Sequence, residues 1–207
     1  MANIIIFGDS IGQGYYDAEG GWVVRLKRFY SAQNAKDPYK LSVNVFNLSI
    51  SGDTTQEILD RFEKETPARV WEDHEIIVTF AVGINDSVIL SDGKNRTSIE
   101  NFKKNLNKLL NLAKEHSNKI IFIGLTPIEQ SKVDPIPWAP EKSTKEKFVE
   151  KYDKVIKYFC KKNNLPYLYL YDKLTTKDLA DGAHPNTKGH EIIFETVKNF
   201  LEEKKYI

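Results

Sequence analysis

Five short apolar segments, spaced along the whole chain, restrict the possible fold more than any other feature of the sequence. They are rich in β-branched and aromatic residues: Ile4–Phe7, Val43–Leu48, Ile76–Val82, Ile120–Leu125 and Tyr167–Tyr171. Segments of this length and composition suit strands that are buried on both faces of a parallel sheet. We therefore expect a parallel sheet of about five strands.

Between these segments, apolar residues recur at helical spacing, as they do at Ile193, Val197 and Leu201 near the C-terminus. A hydroxyl residue followed three positions later by glutamate predicts a helix start, because the two side chains can satisfy the first free amides of the helix. Such pairs begin at Thr54, Thr97 and Ser143. The β-α alternation predicts a three-layer α/β/α sandwich on a doubly wound parallel sheet, in one domain that spans residues 1–207.

The composition argues against several classes of partner and location. With 30 basic and 29 acidic residues, the net charge is +1, which gives no electrostatic reason to expect binding to nucleic acid or an anionic membrane. The single cysteine, Cys160, can form neither an intramolecular disulfide nor a cysteine zinc site. No apolar run approaches the roughly 20 residues of a membrane-spanning helix, and the first apolar run lacks the basic flank of a signal peptide. We expect a cytoplasmic protein with no membrane span; the sequence does not indicate its oligomeric state.

The segment Thr126–Lys142 interrupts the alternation. It contains Trp138 and four prolines, which are too many for a helix or a central strand. Long loops in compact domains are usually functional or disordered. We expect this loop to form a wall of the substrate site rather than a plain surface loop.

Small and polar residues follow the first three predicted strands and precede the last helix. The four groups are Gly8-Asp9-Ser10-Ile11-Gly12, Ser49-Ile50-Ser51-Gly52-Asp53, Gly83-Ile84-Asn85-Asp86 and Asp181-Gly182-Ala183-His184-Pro185. In open α/β sheets, ligands bind beyond the carboxyl ends of the strands. The sequence therefore predicts a functional site at that edge of the sheet.

Five residues in these groups have the chemistry of an acyl-transfer site. Ser10 is a candidate nucleophile and His184 a candidate base, while Asp181 is close enough in sequence to fix the imidazole tautomer. The backbone N–H of Gly52 and the side-chain amide of Asn85 are candidate donors to an oxyanion. Each residue alone also has a structural explanation, as a helix cap, a turn residue or a solvated loop histidine. The combination is more specific than its parts.

The four groups resemble the sequence blocks of the SGNH hydrolases, also called the GDSL family of lipases and acylhydrolases. They occur in the expected order between residues 8 and 185, and Gly20-Gly21-Trp22 is also similar to bacterial members. Ile11 stands where the family name has leucine, at a packing position that has no catalytic role.

This resemblance implies a flavodoxin-like fold and a serine esterase that requires no cofactor and no metal. It implies that Ser10 is the nucleophile, that His184 is the base and that Asp181 orients the base. The oxyanion hole would consist of the Ser10 N–H, the Gly52 N–H and the Asn85 side chain. The partner would be a small-molecule ester, which is cleaved through an acyl-enzyme.

Several alternatives stay open at this level. Short acyl groups are favoured because no second long apolar insertion is present to cover a fatty tail. A carbohydrate O-deacetylase, a lysophospholipase or a thioesterase would use the same site. A non-catalytic flavodoxin-like module that binds a nucleotide or phosphate, and a metal-dependent hydrolase that uses Asp181 and His184, are alternatives of other classes. The pattern Gly8-x-Ser10-x-Gly12 also matches the nucleophile elbow of α/β-hydrolases, but there the elbow follows several strands rather than the first.

Overall fold

A single parallel sheet forms the centre of the structure, a computed structural model that describes residues 1–37 and 42–207. Its strands are β1 (Ala2–Gly8), β2 (Val43–Asn47), β3 (Glu75–Ala81), β4 (Lys119–Ile123) and β5 (Tyr167–Leu168). The strand order is β2-β1-β3-β4-β5, and all four neighbouring pairs are parallel. This is the flavodoxin-like order of a doubly wound sheet, so the predicted fold class is confirmed.

Helices cover both faces of the sheet. Those described are α1 (Ser10–Gln13), α2 (Gly21–Lys36), α3 (Thr55–Glu65), α4 (Ile84–Ser87), α5 (Ile99–Lys114), α6 (Gln130–Val133), α7 (Glu146–Lys162) and α8 (Thr187–Glu203). On one face, Ile5 and Phe7 of β1 pack in the same apolar cluster as α3, α5 and α7. On the other face, Ile4 and Ile6 pack with α2 and α8. Successive strand residues point to opposite faces, so the central strands are apolar throughout.

One of the three predicted helix starts is confirmed. Thr54 caps α3: its hydroxyl accepts the N–H of Gln56 at 3.2 Å, and Glu57 accepts the N–H of Thr54 at 2.8 Å. The prediction at Thr97 is wrong by one residue, because Ser98 caps α5. The backbone N–H of Thr97 instead bonds to the carbonyl of Asp86 at 3.1 Å.

The prediction at Ser143 is also wrong. Helix α7 begins at Glu146 with Lys145 as the N-cap residue. Ser143 exchanges two backbone hydrogen bonds with Ile89, at 2.8 and 3.0 Å, so its backbone is committed to an extended pairing before the helix begins.

The loop and the last strand also differ in detail from the sequence prediction. The proline-rich segment contains the short helix α6 (Gln130–Val133), which fits between Pro127 and Pro135. Strand β5 ends at Leu168, and a 3₁₀ turn follows at Tyr171–Lys173. Within the described residues, no helix combines the length and apolar character needed to cross a membrane.

Candidate active site

The predicted site residues meet at the carboxyl edge of the sheet. A cavity of about 330 Å³ lies there, and its lining includes Ser10, Gly52, Asn85 and His184. Strand β1 lies between β2 and β3, so the three loops that follow these strands open onto the same space. The loop before α8 completes the cavity with His184.

Ser10 and His184 are joined by a hydrogen bond although 174 positions separate them in the sequence. The Ser10 Oγ atom lies 2.8 Å from His184 Nε2. Ser10 is the first residue of α1, and the N-cap is Asp9, whose carboxylate accepts the N–H of Ile11 at 2.9 Å. The capping role that the sequence left open for Ser10 thus belongs to its neighbour, and the Ser10 hydroxyl is directed to the imidazole.

Asp181 holds the other side of the imidazole. Its Oδ2 atom lies 2.7 Å from His184 Nδ1, and its Oδ1 atom accepts the backbone N–H groups of Ala183 at 3.0 Å and His184 at 2.8 Å. Burial raises the pKa of Asp181, but these hydrogen bonds outweigh burial and lower the pKa to about 2. A carboxylate at Nδ1 favours a proton on that nitrogen, which leaves the Nε2 lone pair free to accept from Ser10.

The candidate oxyanion donors face the same cavity. Within residues 1–37 and 42–207, neither the Ser10 N–H nor the Gly52 N–H has a hydrogen-bond acceptor. Gly52 has a φ of +85°, a conformation that favours glycine. The side-chain amide of Asn85 donates one hydrogen to the carbonyl of Asp53 at 3.1 Å, and its second hydrogen stays available.

Two side chains brace the loops that carry these donors. The Arg96 guanidinium donates to the carbonyl of Gly52 at 2.7 Å and to the carboxylate of Glu57 at 2.9 Å. Asp86 accepts the backbone N–H of Thr55 at 3.0 Å and its hydroxyl at 2.6 Å. The loop after β2 and the loop after β3 are therefore linked on both sides of Asn85. The sequence prediction missed Arg96, since no local motif marks it.

Aromatic rings surround His184. Ring centroids of Tyr15, Tyr16 and Trp138 lie 5.7, 5.5 and 5.9 Å from that of the imidazole. Trp138 belongs to the proline-rich loop, which lines the cavity as predicted. The two tyrosines were missed as site residues; their signal in the sequence is an exposed aromatic pair five residues after Ser10.

Asp9 directly precedes Ser10 in the sequence and is buried. Burial raises the pKa of Asp9 to about 7, although the hydrogen bond from Ile11 and the charge of His184 lower it. The residue therefore takes up a proton near neutral pH while Asp181 stays ionised.

Two other kinds of chemical group were candidates for a site: metal ligands and the thiol of Cys160. Among the described residues, no three histidine, cysteine, aspartate or glutamate side chains are placed to hold a metal ion. Cys160 is buried, and burial raises the pKa of its thiol to about 12.

Comparison with known proteins gives a family match over most of the chain. The model of the GDSL-like Lipase/Acylhydrolase family matches residues 6–192. The crystal structure of a lipase/acylhydrolase from Enterococcus faecalis aligns with a TM-score of 0.73 at 26% identity, covering 99% of this chain and 97% of that one.

Two further proteins are similar to this chain. A variant of an acetyl xylan esterase from Geobacillus stearothermophilus aligns with a TM-score of 0.69 at 23% identity, covering 98% of this chain and 94% of that one, a likeness that shows the fold. The uncharacterized lipoprotein YqeF of Bacillus subtilis is 27% identical over 132 residues, which are 61% of this chain. The match spans 49% of that relative, about half of its length.

Proposed function

This chain belongs to the GDSL-like lipase/acylhydrolase family, a family of ester-bond hydrolases, and from that membership we propose that it is a serine esterase that cleaves carboxylic esters of short acyl groups. The observation that carries the proposal is the chain of hydrogen bonds from Ser10 Oγ through His184 to Asp181, at 2.8 and 2.7 Å. A serine hydroxyl is a weak nucleophile unless an oriented base removes its proton. These contacts provide such a base.

In the proposed mechanism, Ser10 Oγ attacks the ester carbonyl while His184 Nε2 takes the hydroxyl proton. The carbonyl oxygen, now negative, accepts hydrogen bonds from the Ser10 and Gly52 N–H groups and the Asn85 amide. The tetrahedral intermediate collapses, the bond to the alcohol breaks, and His184 gives its proton to the departing alkoxide. Water then attacks the acyl-enzyme with His184 as base again, which releases the acid and restores Ser10.

Two further observations support this assignment. In the acetylxylan esterase of G. stearothermophilus, substitutions of an aspartate and of a histidine three positions later each define a catalytic mutant. Asp181 and His184 have the same spacing. A cavity of about 330 Å³ lies at the small end of the range of roughly 300–1,000 Å³ for ligand pockets, which favours a short acyl group over a long one.

The second candidate is a carbohydrate O-deacetylase of the same mechanism. The aromatic rings around His184 favour it, because sugar rings bind well to aromatic faces. The relative from G. stearothermophilus acts on acetylated xylan. No comparable feature of the cavity favours a lysophospholipid or a thioester.

The nucleophile is tested by Ser10→Ala. We expect hydrolysis of p-nitrophenyl acetate to fall by at least about 10⁴-fold, and labelling by a fluorophosphonate to disappear. Ser49→Ala is a matched control, because the Ser49 hydroxyl is buried beside Gly8 at the end of β1 and has no hydrogen-bond partner among the described residues. Wild-type turnover or labelling in Ser10→Ala would overturn the assignment.

Two conditions test the alternatives to a histidine base and a serine nucleophile. Activity should fall on acidification, since a protonated imidazole cannot accept the Ser10 proton; a rate that is flat between about pH 5 and 8 would contradict the proposal. A chelator should leave the rate unchanged. A loss of activity on chelation that a divalent metal restores would favour a metal-dependent hydrolase.

We also propose that the enzyme is a single catalytic domain located in the cytoplasm. The span of the proposed site, from Ser10 to His184, supports one domain. The presence of one buried cysteine is compatible with a reducing compartment. Because the relative from B. subtilis is a lipoprotein, cell fractionation is the deciding measurement, and recovery in the membrane fraction would contradict the proposed location.

A further inference from the structure

Three exposed aromatic side chains, Tyr15, Tyr16 and Trp138, form what we call the aromatic rim around His184. Their residues are 43, 55 and 57% exposed, and all three line the cavity. Exposed aromatic residues that cluster at one cavity usually mark a binding site. Tyr16 also interacts with the Asp181 carboxylate. The proposed proton transfers require neither Tyr15 nor Trp138, so these two rings have a role that the mechanism does not explain.

Close packing and hydrogen bonds hold the turn that carries Tyr15 and Tyr16. Tyr16 has a φ of +62°, a left-handed conformation that is unfavourable for a tyrosine and that persists only where the surroundings enforce it. Gly14 and Gly21 pack so closely that a Cβ atom on Gly21 would lie 2.3 Å from Gly14 Cα. Gly14 and Gly21, which flank the turn that carries Tyr15 and Tyr16, are therefore in direct contact.

Hydrogen bonds to two buried side chains, Asp17 and His190, hold this turn in place. The Asp17 carboxylate accepts the N–H groups of Glu19 and Gly21 and the guanidinium of Arg25, at 3.0 to 3.2 Å. Burial raises the pKa of Asp17, but these bonds lower it to about 2.

His190 anchors the same turn from α8. Its Nε2 atom lies 2.9 Å from the carbonyl oxygen of Tyr15, and its Nδ1 atom accepts the N–H of Trp22 at 3.3 Å. Burial lowers the pKa of His190, which favours the neutral ring that this pair of bonds requires. The turn that carries Tyr15 and Tyr16 is thus held in place by both Asp17 and His190.

The position of the rim assigns it to one half of the substrate. His184 gives a proton to the departing alcohol, so the alcohol must lie beside His184 Nε2 in the proposed reaction. The rim rings lie within 5.9 Å of that imidazole ring, centroid to centroid. The carbonyl oxygen lies on the other side, toward the donors Gly52 and Asn85. The rim is therefore on the side of the departing alcohol.

We propose that the aromatic rim is a subsite for a sugar ring, so that the substrate is an acylated pyranoside; this rests on the proposed esterase function. One face of a pyranose presents C–H groups that pack on aromatic rings, while its hydroxyls require polar partners. The lining of the same cavity also includes Ser51, Lys142 and Thr144, whose side chains carry such polar groups. A linear lipid alcohol would use neither the ring faces nor these polar groups.

The test compares two acetate esters that differ in the alcohol. One is a monoacetylated methyl xylopyranoside, and the other is ethyl acetate, whose alcohol has no ring. In Trp138→Ala and Tyr15→Ala, the ratio of kcat/KM for the xyloside to that for ethyl acetate should fall about tenfold. Trp138→Phe, which keeps a ring, should recover most of this ratio. Trp71→Ala is a matched control: Trp71 is 43% exposed but lies outside the cavity, so the ratio should not change.

The outcomes separate the rim proposal from the esterase proposal. If the ratio of the two kcat/KM values is unchanged in both rim variants, the proposed sugar subsite is wrong. If both esters are still hydrolysed and this hydrolysis requires Ser10, the proposed esterase function stands. A third ester, phenyl acetate, tests an alcohol whose ring is aromatic and not a sugar. If the rim variants lose discrimination for phenyl acetate but not for the xyloside, the rim binds an aromatic alcohol and the sugar assignment is wrong.

Discussion

The two halves of the proposed catalytic machinery are built in opposite ways. The base loop, Asp181–His184, is local: within four residues, its hydrogen bonds fix the carboxylate, the backbone and the imidazole together. The oxyanion donors come instead from the ends of three strands, and side chains such as Arg96 link the loops that carry them. The two halves should therefore respond differently to substitution. One substitution in the base loop should remove most of the catalytic activity, whereas loss of one oxyanion donor, or of one side chain that supports it, should remove only part of it.

The largest effect is expected where the local half is broken. Asp181→Asn keeps the size of the side chain but removes the charge that selects the Nδ1–H tautomer, so we expect kcat to fall by about 10³- to 10⁴-fold. Asp92→Asn, on an exposed loop that does not line the cavity, serves as the control. A loss of less than tenfold in Asp181→Asn would show that the histidine does not need the carboxylate.

A smaller effect is expected from the loss of one oxyanion donor. Asn85→Ala should lower kcat by about 10²- to 10³-fold while KM changes little, because the donor acts mainly on the negative oxygen of the transition state. Steady-state kinetics with a short-chain acetate ester measures both values. An increase in KM at constant kcat would mean that Asn85 binds the ground state instead. Asn107→Ala, on the exposed side of α5, is a control for the general loss of an amide.

A brace should matter less than the donor that it positions. Arg96→Ala removes the hydrogen bonds to Gly52 and Glu57, and we expect kcat to fall about tenfold because the Gly52 N–H is then less well aligned. Arg96→Lys should recover only part of the rate, since one ammonium group does not reproduce the planar fork of a guanidinium. Guanidinium ion added to the assay should partly restore the kcat of Arg96→Ala. If KM alone changes, Arg96 contacts the substrate and is not a brace.

A further effect concerns the stability of the fold rather than the rate, at the end of β1, where Asp9 precedes Ser10. Folded Asp9 has a pKa of about 7, above the ordinary value of 3.8, so between these pH values the folded state holds a proton that the unfolded state has lost. This contribution to the free energy of unfolding is full below about pH 4 and is lost as the pH rises through about 7. Asn keeps the capping oxygen but does not titrate.

Urea unfolding between about pH 4 and 8 measures this contribution. The stability of Asp9→Asn relative to the wild type should increase as the pH rises to about 7 and then level off. Parallel curves for the two proteins would show that Asp9 does not titrate in this range.

The fold was predictable because its signal is repeated along the chain. Each central strand is apolar on both faces, as a covered parallel strand must be, and Thr54 and Glu57 mark a helix start that the structure confirms. Thr97 and Ser143 failed because tertiary partners, Asp86 and Ile89, already hold their backbones. A capping pattern describes only interactions between residues close in sequence. At Thr97 and Ser143, contacts with other parts of the chain determine where the helix begins.

The candidate site was predictable to the extent that its spacing is local. The spacing of three positions from Asp181 to His184 predicts a contact, and the structure places their side chains 2.7 Å apart. The roles of Arg96 and Tyr16 had no such signal. Arg96 meets Gly52 only because β2 and β3 flank β1, and the left-handed backbone of Tyr16 is enforced by contacts between residues that a linear pattern does not relate.

The separation of 174 positions between Ser10 and His184 has a consequence for the protein while it is being synthesised. During synthesis the proposed nucleophile emerges early and the proposed base very late, after all five strands have been made. A nascent chain or a fragment that ends before residue 184 has the serine without this histidine. In the proposed mechanism, catalysis therefore begins only after His184 has been made and placed beside Ser10, and the appearance of esterase activity would report that late step of folding.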